Sequence, residues 1–273
     1  MIEKTPGSLE RLRTIGAVAL DMDGTTYLGG RLLPGAAAIV DLTARRGIPC
    51  IFLTNNSSKS RAEYREKLGR LGLAAAPDAV MTSGEATIRW VLRARPDARV
   101  LLLATPSFEA EVRDAGIALV PLDRAAEADL AILAYDTTLT FARLAAICDH
   151  VRAGRTFVAT HPDVNCPVEG GCLPDVGAFL ACIRASTGRG PDLVVGKPGE
   201  LMVAALAERV SLPPERIACV GDRLYTDVAM ARRSGMLGIL VLSGETRIAD
   251  LDGSEFQPDL VADDLADVVS ALA

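Results

Sequence analysis

The sequence is short of the residues from which most zinc sites, redox centres and nucleic-acid surfaces are built. It holds two histidines and six cysteines, and no two cysteines form a Cys-x-x-Cys pair. Cys50 and Cys219 lie in the apolar runs Ile48–Leu53 and Ile217–Val220 and read as small core residues. Cys166 and Cys172 have only His161 nearby, which falls short of a zinc ligand set. Reduced, unpaired thiols are the expectation, as in the cytosol. There is no block of Lys and Arg either: 29 basic against 35 acidic residues leave a net charge of −6. Such a chain makes a poor nucleic-acid or anionic-membrane binder. No apolar run approaches the ~18 residues of a membrane span. Met1–Arg13 lacks the apolar stretch of a signal peptide, so a cytoplasmic protein is expected. Gly 24 and Pro 15 are too few for a low-complexity chain, and 49% hydrophobic residues exclude disorder. At 273 residues the chain can form one large or two modest domains whose cores need no disulfide or structural metal.

What is present is alternation. Ala17–Leu20 is an apolar run ending at Asp21. A helical pattern follows from Pro34 to Arg46, with proline in its first turn and Gly47 as its stop. Ile48–Leu53 is a second buried strand ending at Thr54, and Ser60–Leu71 is a charged helix closed by Gly72. Strands at Val100–Ala104, Leu130–Ala134 and Thr156–Ala159 alternate with helices near Ser107–Ala115 and Thr140–Ala153. Then come strand Leu193–Val195, helix Glu200–Val210, strand Ile217–Val220, helix Thr226–Ser234 and strand Gly238–Leu242. A short strand at Asp259–Val261 precedes a final helix from about Asp263. Alternation of this kind predicts an α/β fold with a parallel sheet, covered on both faces because its strands are continuously apolar. The longest irregular stretch is His161–Pro174, and long loops of this kind are often functional.

In open parallel sheets, ligands bind beyond the carboxyl ends of the strands. There the sequence places Asp21-Met22-Asp23-Gly24-Thr25, then Thr54-Asn55-Asn56, then Gly196-Lys197-Pro198, then Gly221-Asp222 through Asp227. Asp21, Asp23, Asp222 and Asp227 are predicted to converge on one sheet edge. Clustered carboxylates repel unless a cation neutralises them, and an all-oxygen set suits Mg²⁺. Thr54 and Lys197 add donors for an anion, and Gly24, Gly196 and Gly221 let main-chain amides approach a ligand. Taken singly, each segment reads as a helix cap or a turn. Together, in order, they read as a phosphoryl-transfer site. Thr54 and Lys197 stand more than half the chain apart, which predicts a second α/β unit inserted between them. The expected division is a core of residues 1–83 and 189–273 around an insert of residues 84–188.

The carrying segments are Leu20-Asp21-Met22-Asp23-Gly24-Thr25-Thr26-Tyr27-Leu28-Gly29, Leu53-Thr54-Asn55-Asn56-Ser57-Ser58, Thr160-His161-Pro162-Asp163, Val195-Gly196-Lys197-Pro198 and Val220-Gly221-Asp222-Arg223-Leu224-Tyr225-Thr226-Asp227. With these, the chain resembles the haloacid dehalogenase superfamily of phosphotransferases. More closely, it resembles the NagD-like, 4-nitrophenylphosphatase branch (subclass IIA, with a large C2-type cap). The likeness runs along nearly the whole chain. It implies a Rossmann-like core with an inserted α/β cap and a Mg²⁺-dependent phosphatase forming an aspartyl-phosphate. Small phosphomonoesters are the implied substrates: sugar phosphates, nucleoside monophosphates, phosphoglycolate or 4-nitrophenyl phosphate.

Carried over position by position, the resemblance makes Asp21 the nucleophile and Asp23 the general acid and base. Asp21, Asp222 and the Asp23 carbonyl would hold Mg²⁺, and Asp227 would orient the metal's surroundings. Thr54, Asn55 and Lys197 would bind the phosphoryl group. A homodimer through the cap is also expected. The chain departs from its relatives at His161, where Asn or Asp is common, and at Cys166, where some carry a histidine or an aromatic residue. Both weigh against pyridoxal phosphate as the substrate. The polar loop carrying His161, Asp163, Asn165 and Glu169 is expected to reach the substrate's organic part, with His161 and Asp163 as the foremost contacts. Asp23 argues against a dehalogenase, which needs no proton donor, and a receiver domain is about half this length. A phosphomutase and a catalytically inactive phosphate-binding protein are the remaining alternatives.

Overall fold

The computed structural model describes residues 1–168 and 170–273, so Glu169 lies outside the described residues. Its strands, in chain order, are β1 (Ile2–Glu3), β2 (Ala17–Asp21), β3 (Tyr27–Leu28), β4 (Arg31–Leu32), β5 (Cys50–Thr54), β6 (Val80–Thr82), β7 (Val100–Leu103), β8 (Leu130–Leu133), β9 (Thr156–Ala159), β10 (Asn165–Val168), β11 (Gly171–Pro174), β12 (Leu193–Val194), β13 (Ile217–Gly221), β14 (Leu237–Val241) and β15 (Leu260–Ala262). The chain divides into two compact units, one of residues 1–54, 64–81 and 202–273, the other of residues 55–63 and 82–201.

The first unit is built on a seven-stranded sheet of order β1-β15-β14-β13-β2-β5-β6. Val18, Ala19 and Leu20 of β2 are buried, as are the facing residues of β13, because helices cover both faces of a parallel sheet. The edge strand β1 pairs antiparallel with β15, whereas β15, β14, β13, β2 and β5 pair in parallel. Helix Ala36–Arg45 buries Ala36, Ile39 and Leu42, and helix Leu265–Leu272 buries Leu265, Val268 and Leu272. Both stripes have helical spacing and join one core with Leu20, Phe52 and Val220. The ends of β13, β2 and β5 lie side by side, and the chain leaves β2 to one side before returning on the other. That is the switch point at which such sheets bind ligands.

The second unit is a four-stranded parallel sheet of order β12-β9-β8-β7. Its core gathers Leu101, Leu133, Phe157, Ile147 and Ile183. Three expectations change here. Residues 55–63, 82–83 and 189–201, assigned by sequence to the core, group with this unit, the last stretch because β12 pairs with β9 instead of a first-sheet strand. The stretch His161–Pro174 is not wholly irregular: β10 and β11 form an antiparallel hairpin, with Cys166 opposite Leu173. Helices Ser83–Ala94 and Val176–Thr187 also form where the sequence pattern marked nothing. Among the described residues, no helix is long and apolar enough to cross a membrane.

Gly35, at φ +81°, starts helix Ala36–Arg45, and a Cβ there would strike the main chain of Leu265 and Ala266. A left-handed conformation and a backbone clash act together, so Gly35→Ala should destabilise the fold by about 3 kcal/mol. Urea unfolding monitored by circular dichroism checks this.

Candidate active site

In the first unit, Asp21 closes β2, Asp222 follows β13 and Asp227 lies five residues further on. Carboxylate oxygens of all three fall within 4.8 Å of one another. Asp222 and Asp227 are almost fully buried. Donors hold each in place. The Glu245 N–H donates to Asp222 Oδ2 at 2.7 Å, and the Thr25 hydroxyl reaches Oδ1 at 3.5 Å. The Arg223 N–H and the Thr226 hydroxyl donate to Asp227 Oδ2, each at 3.3 Å. Asp227 gains that position because the expected helix at Thr226 opens as one wide π-turn, Leu224–Val228, before Ala229–Ser234 continues as α-helix. Such turns are frequent at functional sites. The set fits Mg²⁺: three carboxylates, no nitrogen or sulfur donor, and a spacing one hard cation can bridge.

The Asp23 carboxylate is not part of this cluster. Its Oδ2 accepts from the Tyr27 hydroxyl at 3.2 Å, and Lys67 Nζ lies 3.8 Å from Oδ1. Any metal contact from Asp23 therefore falls to its carbonyl, as the resemblance implies. Thr54, buried, ends β5 beside Asp21's strand. The sequence reading missed the segment Ser243–Thr246 after β14. There the Glu245 and Thr246 N–H groups both bond Asp222, and Ser243 Oγ donates to the Gly24 carbonyl at 2.9 Å. Glu245 is itself held by Arg223 Nε at 2.9 Å and by the Tyr225 hydroxyl at 2.8 Å. A strand end followed by Ser-Gly was the signal that could have found it.

In the second unit, Asn55 clamps Lys197. Its Oδ1 accepts from the Lys197 N–H at 2.7 Å, and its Nδ2 donates to the Lys197 carbonyl and to Asp163 Oδ1, both at 3.0 Å. Gly196 is required between them: a Cβ there would lie 2.6 Å from Asn55 Oδ1 and 2.7 Å from the Thr160 carbonyl. The Asn55 side-chain amide is thus engaged with protein groups on both ends, so a phosphoryl contact from Asn55 falls to its main-chain N–H.

His161 is also corrected. It is fully buried, with Nε2 2.9 Å from Asp175 Oδ1 and Nδ1 3.0 Å from the Thr160 hydroxyl. The Thr160 hydroxyl meets Ser57 Oγ at 3.0 Å, and Ser57 Oγ accepts from the Tyr135 N–H at 2.9 Å. His161 anchors a buried chain of hydrogen bonds and has no face for a substrate. Asp163, buried on Asn55, is structural in the same way. Asn165 is exposed on β10, and Cys166 accepts from Asn56 Nδ2 at 3.6 Å. All six cysteines are free thiols.

Gly244 packs so closely on the Asp222 carboxylate that a Cβ would overlap it. Gly244→Ala should turn that carboxylate and weaken divalent-cation binding at least about tenfold, since disturbing groups that orient ligands costs ~10–100-fold in affinity. Calorimetric titration with Mn²⁺ or Mg²⁺ reads the change.

Known proteins resemble this chain in sequence and fold. A haloacid dehalogenase-like hydrolase family model matches residues 18–118, and a second model of the same kind matches residues 194–268. An acid sugar phosphatase from Staphylococcus aureus is 31% identical over 256 residues, 94% of this chain and 97% of that protein. The crystal structure of a 4-nitrophenylphosphatase from Thermotoga maritima superimposes with a TM-score of 0.91 at 41% identity, covering 96% of this chain and 99% of that one. NagD from E. coli K-12 gives a TM-score of 0.84 at 26% identity, over 93% and 98% of the two chains. With these likenesses spanning both units, the chain belongs to the haloacid dehalogenase-like hydrolases, in their NagD-like branch.

Proposed function

We propose that the chain is a Mg²⁺-dependent phosphatase that hydrolyses small phosphomonoesters through an aspartyl-phosphate on Asp21. The observation that carries this reading is the separation of two carboxylates two residues apart. Asp21 faces Asp222 and Asp227, whereas Asp23 faces a phenol and an ammonium. The two carboxylates meet different partners, which suits them to different roles.

A carboxylate oxygen of Asp21 attacks phosphorus, and the bond from phosphorus to the leaving oxygen breaks. Asp23 passes its proton to that oxygen, and the alcohol departs. Asp23, now ionised, takes a proton from water, whose oxygen attacks the phosphoryl group. Inorganic phosphate leaves, with Asp21 free and Asp23 protonated again. Bound Mg²⁺ would neutralise charge on the transferring group and on the carboxylates, with Asp21, Asp222 and the Asp23 carbonyl as its protein ligands and Asp227 orienting them. Thr54 and Lys197 are assigned to the phosphoryl oxygens, and Asn55 acts by fixing the Lys197 main chain.

Sugar phosphates stand first among the candidate substrates, since the Staphylococcus aureus relative is named for them. Among the described residues of the predicted specificity set, Asn165 is the one exposed to touch the organic part, His161 and Asp163 being buried. The acidic composition supports an enzyme with no nucleic-acid or membrane partner, and a cytoplasmic location and a homodimer through the second unit are part of the proposal.

Phosphate release from 4-nitrophenyl phosphate, with and without Mg²⁺, tests the core of this reading. Asp21→Asn should lower kcat by more than about a thousandfold; retention of more than about a tenth would contradict the assignment. Asp23→Asn should lower kcat/KM by ~10²–10⁴ on alkyl phosphates and by less on 4-nitrophenyl phosphate, whose leaving group needs little protonation. An equal loss on both would count against Asp23 as the acid.

A further inference from the structure

Asp23 is held from two sides by groups outside the acidic cluster. The turn that follows β2 brings Tyr27 back beside it: the N–H groups of Thr26 and Tyr27 donate to the Met22 carbonyl at 2.9 and 3.1 Å. Gly24, at φ +89°, makes that turn possible, and its N–H bonds the Tyr27 carbonyl at 2.9 Å. The Tyr27 ring is fully buried, and its hydroxyl donates to Asp23 Oδ2 at 3.2 Å.

Lys67 lies on helix Arg61–Arg70, whose residues Tyr64 and Leu68 are buried in the first unit's core. Those anchors fix the stem of the lysine between them. Its Nζ sits 3.7 Å from the centroid of the Tyr27 ring and 3.8 Å from Asp23 Oδ1. The lysine side chain is only 23% exposed and that of Asp23 35%. No motif contains Lys67, and nothing in the sequence pattern marks it.

We infer that Lys67, seated on the Tyr27 ring, is a positioning residue for proton transfer by Asp23. The inference rests on the assignment of Asp23 as the proton carrier. As the proton moves to the leaving oxygen, negative charge develops on the Asp23 carboxylate. A cation and a phenol already aimed at its two oxygens stabilise that charge without reorganising. The same contacts hold the carboxylate in one orientation through both steps. A plain surface ion pair would contribute little to stability and nothing to chemistry. The two roles separate by leaving group, because poorly departing alkoxides need the proton and 4-nitrophenolate hardly does.

The test compares kcat/KM for an alkyl phosphate and for 4-nitrophenyl phosphate, since this ratio reports events up to departure of the leaving group. Lys67→Met should lower it about tenfold more on the alkyl phosphate than on the aryl one, a fraction of the ~10²–10⁴ supplied by the whole acid–base step. Lys67→Arg should restore most of the difference, and Tyr27→Phe should shift it in the same direction as Lys67→Met. Equal losses on both substrates, no loss on either, or an arginine variant no better than methionine would overturn the inference. Asp23→Asn is measured alongside. If it shows no leaving-group bias, the assignment of Asp23 fails and the inference falls with it. If it shows the bias and Lys67→Met does not, the inference alone fails.

Discussion

Repulsion among Asp21, Asp222 and Asp227 is the constraint on which the first unit's site depends. Two unit charges ~4 Å apart interact by about 4 kcal/mol at an effective dielectric near 20. Three carboxylates with oxygens inside 4.8 Å carry that penalty more than once. The fold opposes it with donors fixed in advance: the Glu245 and Arg223 N–H groups and the Thr25 and Thr226 hydroxyls. Gly24 sits against Asp222, where a Cβ would come within 2.5 Å of a carboxylate oxygen, and Gly221 against Asp227 in the same manner. The remaining imbalance suits a hard cation.

From that arrangement follow different surroundings for Asp21 and Asp23. Asp21 is the last residue of a buried strand and looks into the acidic cluster. Asp23 has already entered the turn, and its side chain meets Tyr27 and Lys67. The second unit handles its lysine differently. Lys197 is set by main-chain bonds to one amide, Asn55, and that amide is set by Asp163. Behind Asp163, His161 and Asp175 close a buried polar chain through Thr160. Such networks, fully satisfied, hold a unique geometry.

Where function rests on residues next to one another in sequence, the sequence could be read. Asp21-x-Asp23 and Asp222 through Asp227 each follow an apolar run, so strand ends and their chemistry were legible together. The side-chain partners were not. Asn55 looks like an anion ligand until Asp163 and Lys197, 108 and 142 residues away, take up its amide. His161 looks like a loop residue until Asp175 closes on it. Leu193 and Val194 carry no sign of which sheet they join, and pairing with β9 decided it. Gly170 with Gly171, and Pro167 with Pro174, hid a hairpin because both residue types usually punctuate structure. Lys67 is one of many charged residues on a polar helix, and the turn at Gly24 brings Tyr27 and Asp23 to it.

The central claim is that this crowded cluster makes Asp21 a nucleophile. The measurement that addresses it most directly is acid quenching of the protein during turnover of a phosphomonoester with Mg²⁺, followed by digestion and mass spectrometry. The account predicts a phosphoryl group on the peptide bearing Asp21, absent from Asp21→Asn. A phosphoryl group on any other residue, or turnover with none trapped under conditions that preserve acyl phosphates, would contradict it.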